Sequence, residues 1–249
     1  MKLNGLYFIW AFFLSLSLAA AEDEILLASS GSEIVQLLEL YSSESCSSCP
    51  PADRWISELK DDVGLWKQFV PVVFHVDYWN HLGWKDVYSS GLMTKRQKDY
   101  SEIWNSSNIY TPEIIVAGKE WKNWRDSKQR LLSKTPSNQK ISLLLYRTSK
   151  DHYRIETTGL KVDEKYVIRI AELELNMKSK ITGGENSGQI LEHNFIVKNW
   201  DSHPVDSKKS TAQFEIKNSN GKQSQKAIAT WLEREGSPVP IQATGGYLK

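Results

Sequence analysis

The chain has 249 residues, 40% hydrophobic and 24% charged, with 31 basic and 30 acidic side chains giving a formal charge of +1. These are ordinary globular proportions and exclude disorder, collagen and a whole-chain coiled coil, while near-neutrality argues against nucleic acid as a partner. Cys46 and Cys49 are the full cysteine complement, so a disulfide-rich scaffold is excluded as well.

In chain order, residues 1–21 read as an export signal. Lys2 is a short positive start, Leu6 to Leu18 an apolar run, and Ala19 and Ala21 fit a small-x-small cleavage site. The apolar run is shorter than a bilayer span, so no stable membrane span is expected after cleavage. The mature chain would lose one lysine and no acid, and would work in the periplasm or outside the cell, where a cysteine pair can stay bonded.

Residues 22–32 read as a loose lead-in. Ile34–Tyr41 is an apolar run of strand length, and Pro50-Pro51 opens a helix with Trp55, Ile56 and Leu59 at helical spacing. Val70–Val76 is a second buried strand, Asn80–Ser90 a loop, and Leu92–Trp104 a helix with a mixed-charge face. Thr111-Pro112 precedes a short strand, Ile114–Val116, and a further short helix is expected over Ser127–Ser133. This alternation predicts an α/β domain over 33–135. After a boundary near Thr135–Gln139, short strands separated by Gly and Asn turns (141–148, 153–158, 166–175, 190–200, 212–216 and 227–231) predict a β-sandwich-like domain over 140–249.

One constellation carries chemistry. In Cys46-Ser47-Ser48-Cys49-Pro50 the two sulfurs are spaced to meet across one helical turn, between a buried strand and a helix start. The helix N-terminus directs free N–H groups at the first cysteine and favours its thiolate, lowering the pKa from ~8.5 to roughly 3.5–7.5 in such motifs. Cys46 is the candidate nucleophile and Cys49 the candidate resolving thiol. Three other readings stay open: a structural disulfide in a non-catalytic binding protein, two inert cysteines, and a copper site using Cys46, Cys49 and His75. Tyr110-Thr111-Pro112 is the second element. If the Thr111-Pro112 bond is cis, the Thr111 backbone turns toward a neighbouring loop where it can pair with a bound substrate chain. A trans proline that merely starts a strand is the alternative.

Strand–CxxCP–helix, then His75-Val76-Asp77, then Thr111-Pro112 before a strand and a Gly turn, resembles the thioredoxin superfamily. More closely, LLELYSSESCSSCPPAD, FHVDYWNHLGWKD, KRQKDY, IYTPEIIVAGKEW and GGENSGQILEHNFIVKNW are similar to the secreted family known as domain of unknown function 1223. The resemblance implies an α/β thioredoxin-like domain followed by a β-rich part. It puts Cys46 in the nucleophile position, Cys49 in the resolving position and Pro112 in the cis-proline position. The buried acid that thioredoxins keep six residues before the first cysteine is Leu40 here; the adjacent Glu39 is expected on the opposite strand face.

Other residues have bland readings beside functional ones. His75 can tune a thiol or be a satisfied core histidine, and Asp77 can orient a loop or cap a strand. Asp53 suits a helix dipole, and Glu44 reads as a loop acid. Tyr78, Trp79 and Trp84 can line a groove for an extended substrate or pack on the sheet edge. Lys95–Lys98 reads as a solvated face, Asn105-Ser106-Ser107 is a glycosylation sequon, and His193 and His203 lack a partner pattern. The resulting expectation is an exported thiol-disulfide oxidoreductase that exchanges with protein thiols or disulfides and a redox partner. It needs no cofactor; Cys46, Cys49 and Pro112 form its catalytic site, and Thr111, Tyr110 and Trp79 bind substrate.

Overall fold

The computed structural model describes residues 24–31, 33–125, 140–216 and 224–248. The expected export signal, the helix over 127–133 and the boundary near 135–139 lie outside the described residues. Among the described residues the elements run β1 (Ile25–Ser29), β2 (Gln36–Ser42), α1 (Pro50–Glu58), β3 (Phe69–His75), α2 (Gly91–Ile103), β4 (Glu113–Val116) and β5 (Lys119–Glu120). They continue as β6 (Ser142–Ser149), β7 (His152–Thr158), β8 (Lys165–Leu175), β9 (Met177–Lys180), β10 (Ile190–His193), β11 (Ile196–Asp206), β12 (Thr211–Glu215), β13 (Gln225–Arg234) and β14 (Pro240–Tyr247). No described helix is long and apolar enough to cross a membrane.

The expected fold class, an α/β thioredoxin-like domain followed by a β-sandwich-like domain, is overturned. The chain is mostly β-sheet, with two α-helices among the described residues. One eight-stranded sheet, ordered β14-β13-β8-β11-β3-β2-β4-β5, draws strands from both halves of the sequence. β2 and β3 pair in parallel, with Leu40 opposite Val73 and Ser42 opposite His75, and β4 runs antiparallel to β2. The sheet continues where Ile196 of β11 meets Val73, and the Val73 N–H donates to the Phe195 carbonyl at 2.8 Å. The turn chemistry of 140–249 was legible, but four of its strands, β8, β11, β13 and β14, join the sheet that holds β2 and β3, while β9 pairs with β10 alone. Ala171–Leu175 of β8 and Ala227–Glu233 of β13 are buried at every position, as strands covered on both faces are.

A second sheet, β1-β6-β7-β12, stacks on the far end of the large one. Its Leu143, Leu145, Tyr153 and Ile155 pack with Tyr166, Ile168, Ile170 and Leu232 of the large sheet in one buried cluster. The expected loose lead-in therefore contains an edge strand, since β1 pairs with β6.

A buried charged cluster ties the chain halves together. The Arg96 guanidinium donates to Glu39 of β2 at 2.7 and 3.2 Å, to Glu233 of β13 at 2.7 Å and to the Pro238 carbonyl at 3.2 Å. Tyr41 and Tyr100 donate to Glu39, Trp231 and Arg169 donate to Glu233, and the rings of Phe74, Tyr100 and Trp231 surround the guanidinium carbon at 5.2–5.5 Å. Glu39 does leave the face of its Leu neighbours, as expected, but that face is also covered. Arg96, read as part of a solvated Lys95–Lys98 face, is 2% exposed, while Lys95 and Lys98 remain exposed.

Candidate functional site

Cys46 and Cys49 form a disulfide with Cα atoms 5.4 Å apart. Pro50 and Pro51 lack N–H groups and occupy the first turn of α1, where none is needed for the helix ladder, and Cys49 is the N-cap residue. The expected position of the pair at a helix mouth is therefore observed. The pair is buried there: Cys46 is 1% and Cys49 0% exposed, while Ser47 and Ser48 between them are exposed.

The Thr111-Pro112 bond is cis. The Thr111 carbonyl lies 3.8 Å from Cys46 Sγ and accepts from the Ser48 hydroxyl at 3.3 Å. Trp79 Nε1 donates to Thr111 Oγ1 at 2.8 Å, so Trp79 holds the Thr111 side chain. Tyr110 is 42% exposed; its hydroxyl bonds Glu120 and its carbonyl accepts from Gln97 at 2.7 Å. A groove of about 280 Å³ is lined by Ser48, Tyr110, Thr111, Pro112 and Trp121 together with the basic Lys122 and Arg125; Ser48 is its link to the cysteine turn. Glu113, one residue beyond Pro112, is buried; burial raises its carboxyl to about 7 against the opposing hydrogen bond from Gln97.

Most of what holds the cysteine turn comes from residues that the sequence did not single out. Asn186 Nδ2 donates to the carbonyls of Glu44 and Cys46 at 2.9 and 3.0 Å, and the Ser47 N–H donates to Glu185 at 2.9 Å. Both residues lie in the Gly183–Gly188 loop between β9 and β10, which packs so closely on the loop after β3 that a Cβ at Gly183 would collide with the Gly83 carbonyl oxygen. No local pattern signals this; the GGENSGQILEHNF motif showed the segment without showing what it touches.

Beneath the turn lies a buried cluster of Glu44, Asp53, His75, Asp86 and His193. His75 Nδ1 is 2.6 Å from Asp86 Oδ2, and that carboxylate also accepts the Glu44 N–H at 2.9 Å. Burial pushes the His75 imidazole toward its neutral form, but Asp86, Asp53 and Glu44 outweigh it and raise the group to about 9. Burial pushes Asp53 up, whereas Asp86 sits below its ordinary value because His75 overcomes its burial. The Glu44 carboxylate accepts from Trp84 Nε1 at 2.7 Å and lies 3.2 Å from His193 Nε2, within ion-pair distance but not aligned as a hydrogen bond. Trp84 therefore supports the acid beneath the cysteines, and Asp77 bonds Thr94 of α2 at 2.6 Å. His75, Asp53 and His193 each bring one nitrogen or carboxylate oxygen to within 4.8 Å of the other two, and the disulfide-bonded cysteines have no part in this set.

No curated protein matches the chain. Two solved structures share the fold. Protein AGR_C_4864 from Agrobacterium tumefaciens aligns with a TM-score of 0.56 and 21% identity over 87% of this chain and 95% of that one. HBP35 of Porphyromonas gingivalis aligns with a TM-score of 0.55 and 14% identity over 87% of this chain and 76% of that one. The motifs around the cysteine turn, β3, Thr111-Pro112 and the Gly183–Gly188 loop all fall within residues 37–233, the span matched by the family described as protein of unknown function (DUF1223), and the chain belongs to that family.

Proposed function

We propose that the protein is an exported thiol-disulfide exchange protein acting on extended segments of other proteins. The single observation that carries this reading is the Thr111 carbonyl 3.8 Å from Cys46 Sγ, with Thr111 itself lining a groove that holds aromatic and basic side chains. A peptide lying along Tyr110-Thr111-Pro112 brings its own sulfur to Cys46. The kinship expected from the motifs rests on this local pairing alone, not on the fold.

In the reducing direction the Cys46 thiolate attacks a substrate disulfide, forming a mixed disulfide and releasing one substrate thiolate. The Cys49 thiolate then attacks the Cys46 sulfur, re-forms the Cys46–Cys49 bond and releases the second substrate thiolate, so two electrons pass to the substrate. In the oxidising direction the same steps run backwards.

Cys49→Ser should accumulate a mixed disulfide through Cys46 under exchange conditions, and Cys46→Ser should not. Equal failure of both variants to capture a cysteine-containing peptide would remove the exchange reading. A structural bridge is the second reading, favoured by the burial of both cysteines. A reduction potential below about −300 mV would select it.

A further inference from the structure

From the burial and spacing of three side chains we infer that Asp53, His75 and His193 form a binding site for one divalent transition-metal ion of the zinc class. This does not rest on the thiol chemistry, because neither sulfur belongs to the set.

The three groups come from three separate elements: the first turn of α1, the end of β3 and the end of β10. They are 5%, 0% and 1% exposed, and each offers a ligand atom within 4.8 Å of the other two. A tetrahedral zinc ion with ligands at ~2.0–2.2 Å places them about 3.4 Å apart, so the three stand within about 1.5 Å of a binding arrangement.

The surroundings are those of a prepared site. The Asp86 carboxylate takes the proton-bearing Nδ1 of His75, which turns Nε2 away from it, and Nε2 has no hydrogen-bond partner. A carboxylate behind a histidine with the opposite nitrogen free is the arrangement that orients imidazole toward a metal. His193 Nδ1 likewise has no partner, and its Nε2 faces the Glu44 carboxylate at 3.2 Å. Ser42 Oγ donates to Asp53 Oδ2 at 3.1 Å and fixes that carboxylate. Buried imidazole nitrogens are normally hydrogen-bonded, whereas His75 Nε2 and both ring nitrogens of His193 have no hydrogen-bond partner here.

Two imidazoles and one carboxylate suit zinc and its divalent neighbours, and the absence of thiolate from the set does not favour cuprous ion. Three carboxylates, Glu44, Asp53 and Asp86, converge on the two histidines, and a dication offsets that excess of negative charge.

Zinc chloride titrated calorimetrically into chelator-stripped, folded chain is expected to bind at one equivalent. His193→Ala and the near-isosteric Asp53→Asn should each weaken binding at least 100-fold, with folding checked by circular dichroism. The disulfide-free Cys46→Ser/Cys49→Ser chain should bind with unchanged stoichiometry, and cobalt in place of zinc should show visible absorption without a thiolate charge-transfer band. No stoichiometric binding of zinc or cobalt to the folded chain would overturn the inference. So would binding that survives in both His193→Ala and Asp53→Asn, or that disappears with the cysteines. A failed mixed-disulfide trap alongside intact zinc binding would sink only the exchange reading.

Discussion

Among the described residues, the buried charges around Arg96 and those around His75 and His193 are built on opposite terms. Around Arg96 every nitrogen of the guanidinium finds an oxygen, both carboxylates collect several donors, and three aromatic rings enclose the cation. Around His75 and His193 the carboxylates are equally buried, yet His75 Nε2 and His193 Nδ1 have no partner. A saturated network has nothing left with which to bind, so it serves as scaffold joining β2, α2 and β13. An unsaturated network of the same burial leaves imidazole nitrogens uncommitted, which makes it the better place to look for chemistry.

The sharpest way to break this contrast is Arg96→Met. Removing the cation strands Glu39 and Glu233 in the interior, and loss of one partner of a buried pair costs about 3–5 kcal/mol. Urea unfolding should show a loss of that size, with no effect of zinc on the difference. A loss below about 1 kcal/mol would mean that the Arg96 cluster is not the scaffold described.

Glu113 is an intermediate case, a buried carboxylate held chiefly by Gln97. Its folded value of about 7 lies above the ordinary 4.5, so the folded chain holds the proton more tightly than the unfolded one. The contribution of Glu113 to stability is then greatest below pH 4.5 and falls as pH rises toward 7, by up to about 3 kcal/mol. Glu113→Gln should flatten this slope in unfolding curves taken across that window; an unchanged slope would show that another group produces it.

Zinc at 100 times its dissociation constant should stabilise the wild-type chain by about 2.7 kcal/mol and leave His193→Ala unmoved. Thermal unfolding with and without the ion measures both. Equal stabilisation of the two proteins would place the ion elsewhere. The smallest effect expected is reduction of the disulfide, since a four-residue loop contributes only about 2 kcal/mol on the chain-entropy model. Equilibrium unfolding of the Cys46→Ser/Cys49→Ser chain tests it, and a loss much larger than that would favour the structural-bridge reading over exchange.

Much of the cysteine turn was legible from residues alone. Cys-x-x-Cys-Pro-Pro dictates a helix start, because two prolines suit a first turn and no later one, and Thr111-Pro112 before an apolar run marked the partner segment. The cluster beneath was not legible. His193 stands in a strand of ordinary alternation, 118 positions from His75, and Asp86 sits in a stretch that reads only as a loop. Arg96 was hidden for a similar reason: a basic run on a helix reads as a solvated face until another strand arrives to cover one of its members.

The sequence by itself determined the local elements: which runs extend, where α1 and α2 begin, that the cysteines are spaced to bond, and which turns break the strands of the second half. These depend on side chains within a few positions of one another and on backbone restrictions at Pro and Gly. Only the tertiary structure decided that both halves share one sheet, that Asn186 and Glu185 hold the cysteine turn, and that Asp53, His75 and His193 converge. Strand neighbours are chosen by burial and hydrogen-bond register over separations of a hundred residues or more, and period-two alternation looks the same whichever strand lies alongside.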